Sequence, residues 1–268
     1  MGVTLLTGAS TGIGRSLARR LAARGEAMAL VARRGELLDS LVIEIEQAGG
    51  QALALPCDVT DRDALARALA SAEAELGPVT RLVANAGGGE PTFVDGFDSA
   101  AFEAVIQLNL IGVANSVAAV LPGMLARGDG HLVATGSLAG RRGLPSAAAY
   151  SAAKGGLANL MDSLRIDLRG RGVAVTLLMP GFVRKHEPKP GRGKTGRRRS
   201  KPFRVDLEYA TARMEKAILA RRRQLVFPLS LAVAIGLTRL LPFGLDARLL
   251  AGRGRRRPAA AQPPRTRL

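Results

Sequence analysis

The sequence is short of aromatic residues, histidine and cysteine, and has no tryptophan. Aromatics make up 3% of the chain against 47% hydrophobic residues in all, so a core must be built from aliphatic side chains. The single cysteine, Cys57, excludes an internal disulfide, and a reduced, cytoplasmic setting is the expectation. No secretory leader is expected. The apolar stretch at residues 3–6 is short, has no basic residue before it, and runs into glycine turn chemistry. The charge-free segment 224–238 is 15 residues long and contains Pro228, whereas a span needs about 20 apolar residues, so it is not read as transmembrane.

Acidic residues are scarce in one part of the chain. Residues 1–183 hold 16 Lys+Arg and 17 Asp+Glu, whereas residues 184–268 hold 23 and 5. A near-neutral body therefore carries a very basic C-terminal third. Any attraction to anionic partners acts through that part only.

What is present is an alternation of strands and helices. Val3-Thr4-Leu5-Leu6 reads as a buried strand, followed by Gly8, Gly12 and Gly14 in a turn that opens an amphipathic helix. Strand, glycine-rich turn and helix is the arrangement that seats a pyrophosphate on a helix N-terminus. Further strands are read at residues 27–31, 52–55, 81–84, 131–135 and 173–179, with helices between them. Gly49-Gly50 marks a helix stop, and Thr60 or Asp61 a helix start. The strands are mostly continuous apolar runs, the signature of a parallel sheet covered on both faces. The predicted fold is α/β, a doubly wound, Rossmann-like parallel sheet.

Ligands of such sheets bind beyond the carboxyl ends of the strands. Gly8 to Gly14, Arg33, Asp58, Asn85 to Gly87, Ser137 and Pro180-Gly181 all fall there. After the second strand, where an acid would hold a ribose 2′-hydroxyl, stand Arg33 and Arg34. Arginines there favour the 2′-phosphate of NADP over NAD. Asp58 could meet an adenine amino group. Asn109 lies inside a long helical stretch, 99–126, where asparagine is unfavourable; a kink or water site is one explanation and a satisfied core asparagine the other. Tyr150 and Lys154 share one helix face a turn apart. A nearby ammonium favours a phenolate, so the expectation is a Tyr150 pKa lowered by Lys154 for proton exchange.

Taken together in order, Thr7-Gly8-x-x-x-Gly12-Ile13-Gly14, Asp58-Val59, Asn85-Ala86-Gly87, Asn109, Ser137, Tyr150-x-x-x-Lys154 and Pro180-Gly181 resemble the short-chain dehydrogenase/reductase family over about residues 3–183. The resemblance is weaker near 207–227. It implies an NAD(P)-dependent oxidoreductase acting on a carbonyl or secondary alcohol, with no metal. Tyr150 would be the general acid/base, Ser137 would bind the substrate oxygen, and Lys154 would tune Tyr150 and hold the nicotinamide ribose. Asn109 would anchor a water. Gly8, Ser10, Gly12, Ile13 and Gly14 would lie by the diphosphate, Asp58 and Val59 by adenine, and Asn85, Ala86 and Gly87 by the adenosine ribose. Pro180, Gly181 and Val183 would lie by the carboxamide. Where the family often has a threonine, this chain has Lys185. A homodimer or homotetramer, packed through the helices of Asn109 and Tyr150, is also implied.

The expected division is an oxidoreductase domain over 1–227 and an extension over 228–268, apolar and then Arg/Pro-rich. Residues 184–206 are the variable substrate loop, read as mobile. Residues 205–223 read as a helix and 225–227 as a closing strand. Apolar stretches edged with arginine can lie in a membrane interface, so peripheral membrane contact stands beside burial over the substrate site or at a subunit contact. Nucleic acid is not expected as a partner, because only Phe203 interleaves the basic clusters. The alternative to an enzyme is a dinucleotide-fold binding protein whose basic C-terminus targets a membrane or nucleic acid. The apolar C-terminal run favours a hydrophobic substrate.

Overall fold

The computed structural model describes residues 2–184, 203–239 and 244–245. Seven strands form one sheet: β1 (Val3–Thr7), β2 (Ala27–Ala32), β3 (Ala52–Pro56), β4 (Val79–Ala84), β5 (Gly130–Thr135), β6 (Val173–Pro180) and β9 (Gln224–Phe227). Their order is β3-β2-β1-β4-β5-β6-β9, and every pairing is parallel. A short parallel pair, β7 (Val183–Arg184) and β8 (Val205–Asp206), stands apart from it. The doubly wound sheet read from the strand pattern is present. The segment read as a helix from 205 begins instead with β8, and its helix, α7, covers Leu207–Leu219.

Helices α1 (Gly12–Ala22), α2 (Gly35–Gln47) and α7 cover one face. Helices α3 (Arg62–Leu76), α5 (Gly112–Arg127) and α6 (Ala148–Asp167) cover the other. The core is aliphatic, as the shortage of aromatics required. Phe227 is the only aromatic among its largest fully buried side chains. Local chemistry sets the ends of the helices. Asp61 accepts from the Ala64 amide at 2.9 Å to start α3. Gly49, at φ 81°, closes α2, with the Gly50 amide donating to the Ile45 carbonyl at 2.9 Å.

The long stretch around Asn109 is not one α-helix. Helix α4 (Ser99–Ile106) passes into a π turn over Gln107–Ile111 and then into α5. Among the described residues, Ser99–Arg127 is the one stretch long and apolar enough to cross a membrane by composition. Here α5 packs against β4 and β5, and its buried Val113, Val117, Val120 and Met124 belong to the core.

A polar network crosses the sheet at the end opposite the glycine turn. Arg81 pairs with Glu26 and donates from Nε to His131 Nδ1 at 3.3 Å. That leaves the imidazole proton on Nε2, 2.8 Å from Thr176 Oγ1, and Thr176 in turn donates to the Arg222 carbonyl at 2.6 Å. His131 is fully buried, and burial, with Arg81 beside it, lowers its pKa from 6.5 to about 3. The folded pKa lies below the unfolded one, so below about pH 6.5 the unfolded chain binds the extra proton and stability falls as pH drops towards 3. Between about pH 6.5 and pH 5 this histidine is expected to remove about 2 kcal/mol. Urea unfolding at both pH values checks it. His131→Leu should be less stable at neutral pH yet show a flatter acid limb, and an unchanged acid limb would reject the assignment.

Candidate active site

Beyond the carboxyl ends of β1, β2, β4, β5 and β6 lies a cleft of about 430 Å³. It begins at the turn between β1 and α1. Gly8 has φ 68°, and a Cβ there would stand 2.8 Å from the Ala86 Cα, so the loop and the β4 exit touch backbone to backbone. Thr7 fastens the same junction, because its Oγ1 accepts from the amides of Asn85 and Ala86 at 3.1 Å each. Thr11 precedes α1 in extended conformation and makes no side-chain cap, and the first turn holds no acid. Gly12, at φ 57°, faces open space. This is a helix start left clear for an anion.

At the end of β2 the two arginines part. Arg33 is largely exposed, with Nη1 3.9 Å from Asp58 Oδ2. Arg34 folds over the glycine turn, donating from Nη2 to Ser10 Oγ at 3.0 Å and Thr11 Oγ1 at 3.2 Å. Both line the cleft, together with Cys57, Asp58 and Val59. Asp58 Oδ1 is held by the Thr60 amide and hydroxyl, at 2.9 and 2.8 Å.

The other end of the cleft carries Ser137, Tyr150 and Lys154. Ser137 leaves β5 and starts a short 3-10 turn over Leu138–Gly140, accepting from the Ala139 amide at 3.1 Å. Tyr150 and Lys154 lie in the first two turns of α6. Close packing fixes this helix. A Cβ on Gly140 would stand 2.5 Å from the Lys154 carbonyl oxygen. Lys154 is buried, and its Nζ donates to the Thr135 carbonyl at 2.9 Å and lies 5.7 Å from the Tyr150 ring centre.

The electrostatics differ from the expectation that Lys154 depresses the Tyr150 pKa. Burial raises the phenol, and a hydrogen bond with Ser137 opposes this only in part. Burial also lowers the Lys154 ammonium to about 8. At neutral pH the phenol is therefore protonated, the form that donates, and Lys154 holds its charge until pH rises through about 8.

Sixteen of the eighteen residues singled out from the sequence line the cleft: Gly8, Ser10, Gly12, Ile13, Arg33, Asp58, Val59, Asn85, Ala86, Gly87, Ser137, Tyr150, Lys154, Pro180, Gly181 and Val183. Gly14 and Asn109 stand behind the wall. A Cβ on Gly14 would fall 2.1 Å from the Gly8 carbonyl oxygen, so Gly14 lets α1 close on the turn and is not itself at the surface of the cleft. Asn109 is fully buried. It donates to the carbonyls of Gly88 and Val105 at 2.6 and 2.9 Å and accepts from the Gly88 amide at 3.1 Å. Its side chain is thus a satisfied core group that fixes the loop after β4. The helix widens into a π turn around it, and of the two explanations for this asparagine the hydrogen bonds show the satisfied core group. Lys185 lies outside the described residues.

The sequence assigns no role to Thr135, carries Thr7 only as part of the glycine motif, and does not separate Arg34 from Arg33. Thr135 holds Lys154 through its carbonyl and Asn85 Oδ1 through its hydroxyl, at 3.2 Å. A threonine closing a buried strand gave no signal of this. Arg34 was visible as one of a basic pair, with nothing in the sequence to show which member folds over Ser10 and Thr11.

The sequence profile of the family "short chain dehydrogenase" matches residues 2–189. This chain belongs to the short-chain dehydrogenase/reductase family. An uncharacterized oxidoreductase of Myxococcus xanthus is 39% identical over 238 residues, 89% of this chain and 92% of the relative. The crystal structure of a metagenomic short-chain oxidoreductase in complex with NADP is 31% identical, with TM-score 0.70, covering 84% of this chain and 95% of the other. An alcohol dehydrogenase from the archaeon Thermococcus sibiricus, complexed with 5-hydroxy-NADP, is 26% identical, with TM-score 0.73, covering 85% and 96%. As a member of this family the protein is an oxidoreductase acting on alcohol and carbonyl groups with a nicotinamide cofactor.

Proposed function

We propose that the protein is an NADP-dependent short-chain reductase that reduces a carbonyl group, with Tyr150 as the proton donor. The observation that carries this reading is the union, in one cleft, of a protonated, half-buried phenol beside Ser137 with an arginine fixed over the glycine turn at the opposite end. The residues fit a nicotinamide dinucleotide: Gly12 leaves room at the start of α1, and the two residues that directly follow β2 are Arg33 and Arg34, where an acid would repel a 2′-phosphate. Bound there, the dinucleotide would supply the hydride.

The residues of the chain do the rest. Gly8, Ser10, Gly12 and Ile13 receive the diphosphate side, Asp58 and Val59 flank adenine, and Asn85 to Gly87 lie along the adenosine ribose. Gly14 acts from behind by letting α1 close. Pro180, Gly181 and Val183 lie by the carboxamide. Ser137 and Tyr150 donate hydrogen bonds to the substrate oxygen as negative charge grows on it, and Tyr150 then gives up its proton. Lys154, charged at neutral pH and held by Thr135, offers its ammonium to the nicotinamide ribose and favours the phenolate left behind. Asn109, through the Gly88 backbone, holds the loop beside this ribose.

Arg34 is assigned the larger share of NADP selection and Arg33 the smaller. Arg34→Ala is expected to raise the KM for NADPH by about 10- to 100-fold, the value of a charge-assisted hydrogen bond, and to leave the KM for NADH close to wild type. Arg33 is shared with Asp58, so Arg33→Ala should have the weaker effect. Initial-rate kinetics with both cofactors test this. An unchanged NADPH to NADH preference in Arg34→Ala would reject its role.

A further inference from the structure

Helix α5 carries a buried asparagine, Asn115, that the chemistry above does not use. It is 7% exposed and lies in the first turn of the helix, a setting that asparagine disfavours. Its neighbour Ser116 bonds its own helix, donating to the Gly112 carbonyl at 2.7 Å. Asn115 instead bonds another segment. Its Nδ2 donates to the Val59 carbonyl at 3.1 Å and the Thr60 carbonyl at 3.4 Å, and its Oδ1 accepts from Arg62 Nε at 3.2 Å. All three partners belong to the turn that joins β3 to α3.

Those partners require an amide. The two carbonyls only accept and the guanidinium only donates, so the side chain between them must donate on one side and accept on the other. A carboxylate cannot donate there, and leucine can do neither. Gly112 works with Asn115. A Cβ at Gly112 would stand 2.6 Å from Val59 Cγ2, so glycine lets α5 come up against the turn. The turn closes on itself through the Asp61 amide, which donates to the Asp58 carbonyl at 3.0 Å. Thr60 holds Asp58 Oδ1 through its amide and hydroxyl. Direct contacts therefore run from Asn115 through Thr60 to the Asp58 carboxylate, which lines the cleft.

We propose that Asn115 is a positioning residue for the adenine end of the cleft. It stands behind the wall, as Asn109 does. By fixing the carbonyls of Val59 and Thr60 it fixes where the Asp58 carboxylate points, and so how sharply the site tells an amino group from an oxygen on the purine ring. This rests on the reading that Asp58 and Val59 flank adenine. Asn109 holds Gly88 beside the nicotinamide ribose, so one helical stretch then supports both ends of the cofactor from behind.

The test compares NADPH with reduced nicotinamide hypoxanthine dinucleotide phosphate, in which an oxo group replaces the 6-amino group, by calorimetric Kd with the full-length protein. Wild type should bind the analogue about tenfold more weakly, because a carboxylate accepts from the amino group and repels the oxo group. Asn115→Leu should bind NADPH about tenfold more weakly than wild type and bring the two cofactors within about threefold of each other. A merely structural asparagine would lower the unfolding midpoint and leave that ratio alone. Arg62 is exposed, so Arg62→Ala releases the amide oxygen without disturbing the core, and it should narrow the ratio by about twofold or more. A wild type that binds the two cofactors equally, or binds neither, overturns the inference together with the adenine reading. If wild type separates them, an unchanged ratio in folded Asn115→Leu overturns the inference alone. Should that variant not fold, an unchanged ratio in Arg62→Ala does the same.

Discussion

Tyr150→Phe is expected to lower kcat by about 10²- to 10⁴-fold, the range for removing a general acid. The substitution deletes one hydroxyl and keeps the ring, so the packing of α6 and the Lys154 bond to the Thr135 carbonyl should persist. Affinity for NADPH should therefore stay near wild type, and the loss should appear equally in kcat and kcat/KM. Steady-state kinetics on any good carbonyl substrate, with cofactor binding followed by calorimetry, separates the two. A variant with wild-type kcat would remove Tyr150 from the chemistry.

Gly14→Ala has the second large effect, for a steric reason. The new methyl would meet the Gly8 carbonyl oxygen at 2.1 Å and the Asn85 Nδ2 at 2.8 Å. Neither atom can yield cheaply. The Gly8 carbonyl belongs to the turn that opens the cleft, and Asn85 Nδ2 is already bonded to the Thr7 and Gly8 carbonyls at 3.3 Å. Overpacking of this kind costs about 1–3 kcal/mol. Because the strain falls on the cofactor turn, it should appear as a roughly 10- to 100-fold loss of NADPH affinity, along with a lower unfolding midpoint. Unchanged affinity in a folded Gly14→Ala protein would show that the turn adapts without cost.

The strand ends were legible because a parallel sheet needs continuous apolar runs, and each run here stops at a residue of special chemistry. Val3 to Leu6 leads to Gly8, residues 131–135 lead to Ser137, and residues 173–179 lead to Pro180-Gly181. Parallel pairing then places these exits on one edge without knowledge of distances. Two kinds of feature stayed hidden. One is backbone irregularity. The stretch 99–126 keeps helical periodicity throughout, so nothing in it announces the π turn at Asn109. The other is the direction of individual side chains. Gly14 carries the same motif signal as Gly8 and Gly12 yet works from behind the wall, and Arg34 turns onto Ser10 while Arg33 does not. The Tyr150 pKa belongs with these. Four-residue spacing predicts a nearby ammonium, but burial, which no spacing reveals, raises the phenol, and what opposes it is the hydrogen bond with Ser137.

The cleft is expected to move a hydride from a nicotinamide to a carbonyl carbon while Tyr150 supplies the proton. The most direct measurement uses NADPH deuterated at the reactive nicotinamide carbon, with a panel of carbonyl compounds that includes lipid-soluble ones, and mass spectrometry of the alcohol formed. Deuterium on the carbinol carbon, present with wild type and lost with Tyr150→Phe, is the predicted result. NADPH that binds without transferring its label to any of these compounds, or equal label transfer by the two proteins, would contradict it.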